Sequence, residues 1–203
     1  MSIETIIALF IASFIIKATP GPGVFATVGR ALFQGLKPAL VFIAGIMTGD
    51  LLYLAFAFTG LAVIAHQFGE FFFIVRLIGG GYLIYLGIKL WRTTPGALDT
   101  RPIETGSRTK TFLSGLLLTA GNPKVILFYL GLLPTFVDLT QLSLNDMGLL
   151  TAMFLGILGS TLTAYAFAAS RARRLFSSKS AMRRLNRGTG VVLIGSGGAV
   201  VAS

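Results

Sequence analysis

Two stretches decide the fold: Ile16-Lys17-Ala18-Thr19-Pro20-Gly21-Pro22-Gly23-Val24-Phe25 and Leu118-Thr119-Ala120-Gly121-Asn122-Pro123-Lys124-Val125-Ile126. Laid with Pro22 opposite Pro123, each is an interruption inside a long apolar run. Proline lacks an amide donor and its ring clashes with the preceding turn, while glycine relaxes the backbone, so both runs are predicted to kink or unwind there. Inside hydrocarbon, backbone groups freed in this way are tolerated only where protein or water satisfies them. Both breaks are therefore expected to face an internal cavity. One break alone is explained as well by a plain proline kink; two in corresponding positions point to a functional site.

The surrounding composition is that of a membrane protein. Of 203 residues 54% are hydrophobic and 12% charged, and mean hydropathy is +0.83. Apolar runs lie near 3–33 (interrupted), 38–65, 70–91, 111–137 (interrupted), 147–170 and 186–203. They supply six candidate spans at ~20 to 25 residues each, leaving no room for a soluble catalytic domain. The last run is short and glycine-rich, so a five-span arrangement stays open for the C-terminal end. The chain has no cysteine and one histidine. Disulfides, thiolate metal sites and a His-based metal centre drop out. No Gly-x-x-x-x-Gly-Lys-Ser/Thr loop is present, so any work is expected to draw on gradients, with no cofactor.

The formal charge of +10 is sorted by connection. Arg30 and Lys37 follow the first span; Lys89, Arg92, Arg101, Arg108 and Lys110 follow the third; Arg171, Arg173, Arg174, Lys179, Arg183, Arg184 and Arg187 follow the fifth. The other connections and both termini hold no Lys or Arg but carry Glu4, Glu70, Asp138 and Asp146. The positive-inside rule then puts the odd connections in the cytoplasm and both termini outside. The basic run Arg171–Arg187 reads as a topology signal near anionic headgroups and not as a nucleic-acid site. No basic residue precedes the first apolar stretch and no small-residue cleavage pattern ends it, so it is expected to be retained. The polar linker 92–110 divides one membrane domain, 1–203, into repeat 1 (about 1–91) and repeat 2 (about 111–203). Three spans is an odd number, so related halves would sit inverted, as in many secondary transporters. The expected fold is an all-α polytopic membrane protein of six transmembrane helices in two inverted three-helix repeats, with the first and fourth helices broken.

Depth arithmetic places three charges near the midplane. At 1.5 Å per residue, Lys17, Asp50 and Lys124 each lie about 18–20 Å from the nearest ends of their runs. A lysine side chain is too short to snorkel out from there. An unpaired charge at that depth costs about 2.5–3.5 kcal/mol on the lenient scale, so these groups must meet one another, water or a ligand. Arg76 is close enough to an interface to reach outward. New helix N-termini near Gly23 and Lys124 would present free amides with partial positive charge, a setting for a carboxylate. Pro20, Gly21, Pro22, Gly23, Asp50, Asn122, Pro123 and Lys124 form the candidate substrate site, with Lys17, Asp50 and Lys124 as charge partners or coupling groups. An amino acid fits both signs. The bland alternatives are a permanent ion pair between Asp50 and one lysine, and Asn122 as a helix cap.

Gly45 and Gly49, Gly79-Gly80-Gly81, and Gly156 with Ser160 are expected at close helix contacts. Trp91, Tyr53 and Phe71–Phe73 are expected as interface anchors or lipid-facing bulk, not as a stacking platform, and His66 as a solvated rim residue.

With these residues in view, the chain resembles the LysE/RhtB family of bacterial amino-acid exporters. The likeness covers nearly the full chain. It rests on Thr19-Pro20-Gly21-Pro22, on Gly35, Gly45, Gly49-Asp50 and Gly60-Leu61, on Gly79-Gly80-Gly81-Tyr82-Leu83-Ile84-Tyr85-Leu86-Gly87, and on Asn122-Pro123-Lys124 with Pro134-Thr135-Phe136-Val137-Asp138. The resemblance implies export of amino acids or their derivatives, driven by the proton-motive force. It marks the Pro-Gly-Pro and Asn-Pro-Lys segments and the second-span Asp as characteristic positions. Gly23 stands where many relatives have Asn or Asp, and Lys17 where they have a small or apolar residue.

The expectation is thus a secondary active exporter of a small amino acid or derivative in the bacterial inner membrane, proton-coupled and working by alternating access. Its partners would be the substrate, protons and lipid, with monomer and homo-oligomer both open and no nucleic acid. The alternative is a metal-cation exporter or passive channel, which one midplane carboxylate beside two lysines serves poorly. An intramembrane enzyme lacks the His, Cys or paired carboxylates for such chemistry, so no catalytic residue is expected.

Overall fold

A computed structural model describes residues 1–59 and 107–172, with single positions between 77 and 92 and between 187 and 198. Among the described residues the protein is helical, with no strand. Helix α1 spans Ile3–Ala18, started by Ser2, whose hydroxyl accepts the Thr5 amide at 3.3 Å. It stops before Pro20, which has no amide to extend it. Helix α2, Pro22–Gln34, begins afresh with proline in its first turn, where the missing amide costs nothing. The two are bent by 51°. Gly35, at φ 90°, turns the chain into α3, Leu36–Phe58.

The pattern recurs in the second half. Helix α4, Arg108–Ala120, takes in three residues of the expected linker, then breaks at Gly121-Asn122. Helix α5, Pro123–Ile126, continues through a π-helical turn at Leu127–Leu132 into α6, Leu133–Phe136. Helix α4 and the Lys124–Phe136 rod are bent by 61°. Pro134 supplies no amide to the carbonyl four residues before it, and the turn widens instead, with the Leu133 amide bonded to the Phe128 carbonyl. A 3₁₀ turn, Leu139–Gln141, leads to α7, Leu144–Ala172. Among the described residues helices α3 and α7 are long and apolar enough to cross a membrane, and counting each bent pair as one span brings the number to four. This is an all-α polytopic membrane fold, and among the described residues two helix pairs, Ile3–Ala18 with Pro22–Gln34 and Arg108–Ala120 with Lys124–Phe136, are bent at a break. The expected third and sixth spans, with Phe71–Phe73, His66, Arg76, Gly79 and Gly80, fall outside the described residues except at single positions.

Helices α3 and α4 pack backbone to backbone. A Cβ on Gly45 would lie 2.0 Å from the Phe112 carbonyl oxygen, and one on Gly115 2.2 Å from the Phe42 carbonyl oxygen. Only glycine permits this reciprocal approach. Gly49 faces Thr119 as closely as predicted. Gly156 and Gly81 instead face open space; in α7 it is Gly159 that meets a neighbour, Met47. One apolar cluster joins α2, α3, α4 and α7 through Val24, Phe42, Ile46, Leu118 and Leu162. A second joins α1, α3, the π turn and α7 through Leu9, Leu54, Phe128, Tyr129 and Phe154. The exposed face of α1, with Ile7, Phe10, Ile11 and Phe14, is left for lipid.

Candidate functional site at the crossed helix breaks

The two breaks meet. Lys124, two residues into the second break, donates its ammonium to the Thr19 carbonyl in the first at 2.6 Å. Gly21, Gly23, Asp50, Asn122, Lys124 and Lys17 all line one cavity of about 50 Å³ between them. That volume holds a few water molecules at roughly 15 Å³ each. The rest of its wall is apolar, from Val24, Ile46, Val125, Phe128, Leu158 and Leu162. Of the remaining predicted site residues, Pro22 is buried but off the cavity, and Pro20 is exposed. These two make the break without lining its hollow. Pro123 opens α5, and its backbone sits at the second break.

Asp50 forms the ion pair that its depth required. The Lys17 ammonium donates to Asp50 Oδ2 at 2.9 Å, with Lys17 8% and Asp50 1% exposed. The Tyr129 hydroxyl donates to the same oxygen at 2.7 Å and stands 3.4 Å from the Lys17 ammonium. An Asp50–lysine pair is therefore present, with Lys17 as the partner. Lys124 does not meet Asp50. It sits at the C-terminal end of α1, where the helix dipole favours a cation.

The amides of the two new helices fare differently. In α2 the first intrahelical bond is from the Phe25 amide to the Gly21 carbonyl at 3.0 Å, so the Gly23 and Val24 amides precede it at the cavity wall. In α5 the Lys124 amide is taken by Asn122 Oδ1 at 3.1 Å and the Val125 amide by the Asn122 carbonyl at 3.0 Å. Asn122 is thus the helix cap, and the expectation that α5 would offer free amides is corrected: its own cap uses them.

Sequence reading missed the tyrosines. Tyr53, expected as an interface anchor, is buried, and its hydroxyl donates to the Ala120 carbonyl. Tyr165 on α7 donates to the Ala18 carbonyl at 3.1 Å. Ala18 and Ala120 are the last residues of α1 and α4, so at each break the last helical carbonyl is capped by a tyrosine from the long helix of the other half. A tyrosine inside an apolar run was the available signal, since a buried hydroxyl needs a partner. Phe128, Tyr129 and Phe154 carry no polar pattern that would single them out in sequence, yet they ring Lys17.

The comparisons agree with this picture. The LysE type translocator family matches residues 14–203. An uncharacterised membrane protein of Synechocystis is 32% identical over 97% of this chain and 95% of its own length. A homoserine/homoserine lactone efflux protein of Salmonella typhimurium is 29% identical over 94% and 92% of the two chains. A leucine efflux protein of Salmonella choleraesuis is 30% identical over 64% and 62%. No solved structure matches the chain. A match over most of the sequence, to a family whose described relatives are membrane proteins of the same length, settles the placement: the chain belongs to the LysE type translocator family.

Proposed function

We propose that the protein is a secondary active exporter of a small amino acid or amino-acid derivative across the bacterial inner membrane, coupled to protons and working by alternating access of two inverted halves. The observation that carries this reading is the presence of both signs of charge in one cavity at the crossed breaks. In this reading Asp50 receives the substrate ammonium, and the Gly23 and Val24 amides with Lys124 receive its carboxylate; all of these residues line the cavity. Relatives named for homoserine, homoserine lactone and leucine efflux support the substrate class and the outward direction. Asp50 exchanges between a proton and the substrate ammonium, which couples the two fluxes. Both termini face outward and the basic connections face the cytoplasm.

The cavity admits a whole amino acid only after it opens, because drug-sized ligand pockets run to hundreds of Å³. Cells overproducing the protein are challenged with each amino acid and analogue at toxic levels. Selective protection by the native chain, absent with Asp50→Asn at equal expression, is the expected result. Protection that is equal with Asp50→Asn, or absent for every compound, contradicts the proposal.

A further inference from the structure

The Lys17 ammonium is held by more than its ion pair. It stands 5.1 Å from the centroid of Phe128, 5.3 Å from Tyr129 and 5.7 Å from Phe154. All three rings are buried. Phe128 lies edge-on to Tyr129 at 4.9 Å and to Phe154 at 5.3 Å, and Tyr53 stacks parallel to Tyr129 at 6.4 Å, so the enclosure is packed from behind. A cation within about 6 Å of a ring face is attracted by its quadrupole, and significant instances occur about once per 70–80 residues. Three on one ammonium, beside the Asp50 carboxylate and Tyr129's own hydroxyl, exceed what neutralising Asp50 requires. The wall between this seat and the amides of α2 is the cavity itself, which Lys17, Asp50 and Phe128 all line.

We propose that Phe128, Tyr129, Phe154 and Asp50 form an ammonium seat, filled in the structure by Lys17 as a tethered occupant, and that a primary ammonium on the substrate enters by displacing Lys17. The seat is built from both halves of the chain: Asp50 and Lys17 come from α3 and α1, and the rings from the π turn and α7. The π turn matters because it carries two adjacent residues, Phe128 and Tyr129, onto one enclosure. During loading, displacement passes Asp50 from one ammonium to the other, so the carboxylate is not left alone in the apolar interior at that step. The substrate half of this statement rests on the exporter reading above; the seat itself does not.

The test uses purified protein in detergent with methylammonium chloride as probe and sodium chloride at equal ionic strength as control. Lys17→Ala empties the seat. Methylammonium is expected to raise the thermal midpoint of Lys17→Ala saturably, to leave the native chain unmoved, and to have no effect on Lys17→Ala combined with Asp50→Asn. No stabilisation of Lys17→Ala, or equal stabilisation of the double variant, overturns the seat. Should Lys17→Ala not fold, Phe154→Leu in the native Lys17 background reads the same claim through transport. The KM for the exported amino acid is then expected to rise about two- to tenfold, in line with loss of one ring from a desolvated cation, and an unchanged KM overturns the proposal. Because methylammonium binding needs no transport, the seat can stand while the exporter reading falls, and amino-acid export without methylammonium binding separates them in the other direction.

Discussion

At the scale of single residues, Lys17 and Asp50 hold each other in place more by mutual need than by surplus stability. Removing one partner of a buried pair leaves an uncompensated charge and costs about 3–5 kcal/mol, while replacing both by apolar groups of similar volume is often neutral. Lys17→Met and Asp50→Leu should each lower the midpoint of denaturant unfolding markedly, and the double variant should recover most of the loss; additive losses would show that the pair is not a unit. The tyrosine caps give a second expectation. Tyr53→Phe and Tyr165→Phe each strand a carbonyl at a break, costing about 1–3 kcal/mol in the same assay. A loss below the measurable range for both would remove them as caps. Sequence depth alone was enough to bring Lys17, Asp50 and Lys124 toward one level, because lipid tolerates no isolated charge. It could not choose which lysine pairs with Asp50, since that depends on how α1 and α5 are rotated, and rotation follows from packing at distant positions such as Leu9 and Leu133.

At the scale of elements, the two breaks and the glycine seam set the geometry. Pro20 and Pro22 stop α1 and start α2, and Pro123 starts α5; these were legible because proline acts locally, through its ring and missing amide. Pro22→Ala together with Pro123→Ala should abolish transport while leaving expression intact, and activity surviving in the double variant would sink the broken-helix site. The seam between α3 and α4 was legible from Gly45 and Gly49, but its other side, Gly115, was not, because a lone glycine carries no spacing signal. Gly115→Val drives a side chain into the Phe42 carbonyl and should destabilise by at least about 1–3 kcal/mol, seen as a lowered thermal midpoint. The same signal was overread at Gly156, which meets nothing within 4 Å. Small residues permit close approach without compelling it. The π turn had a trace in sequence, Pro134, yet its consequence, two rings on one enclosure, emerges only when α7 brings Phe154 against them.

At the scale of the whole molecule, the chain is tied at both ends of the α1–α2 pair. The N-terminal amine meets Asp146 at 3.1 Å at one end, joining the start of α1 to the start of α7. At the other end Arg30 donates to Ser114 at 3.2 Å, joining α2 to α4. Both are ties between the first and second halves. The alternating access proposed above requires that they open in turn. The chain has no native cysteine, so single cysteines at Gly21 or Gly23 report access to the cavity from either side without background. The reading of charge by connection sums many residues and needs no packing; the lateral arrangement of the halves was not legible, because it rests on a few contacts among residues far apart in sequence. The decisive measurement is amino-acid uptake by inside-out membrane vesicles under an imposed pH gradient, comparing the native chain with Asp50→Asn at matched expression. Gradient-driven uptake by the native chain that collapses in Asp50→Asn is the predicted result, and undiminished uptake by Asp50→Asn would contradict it.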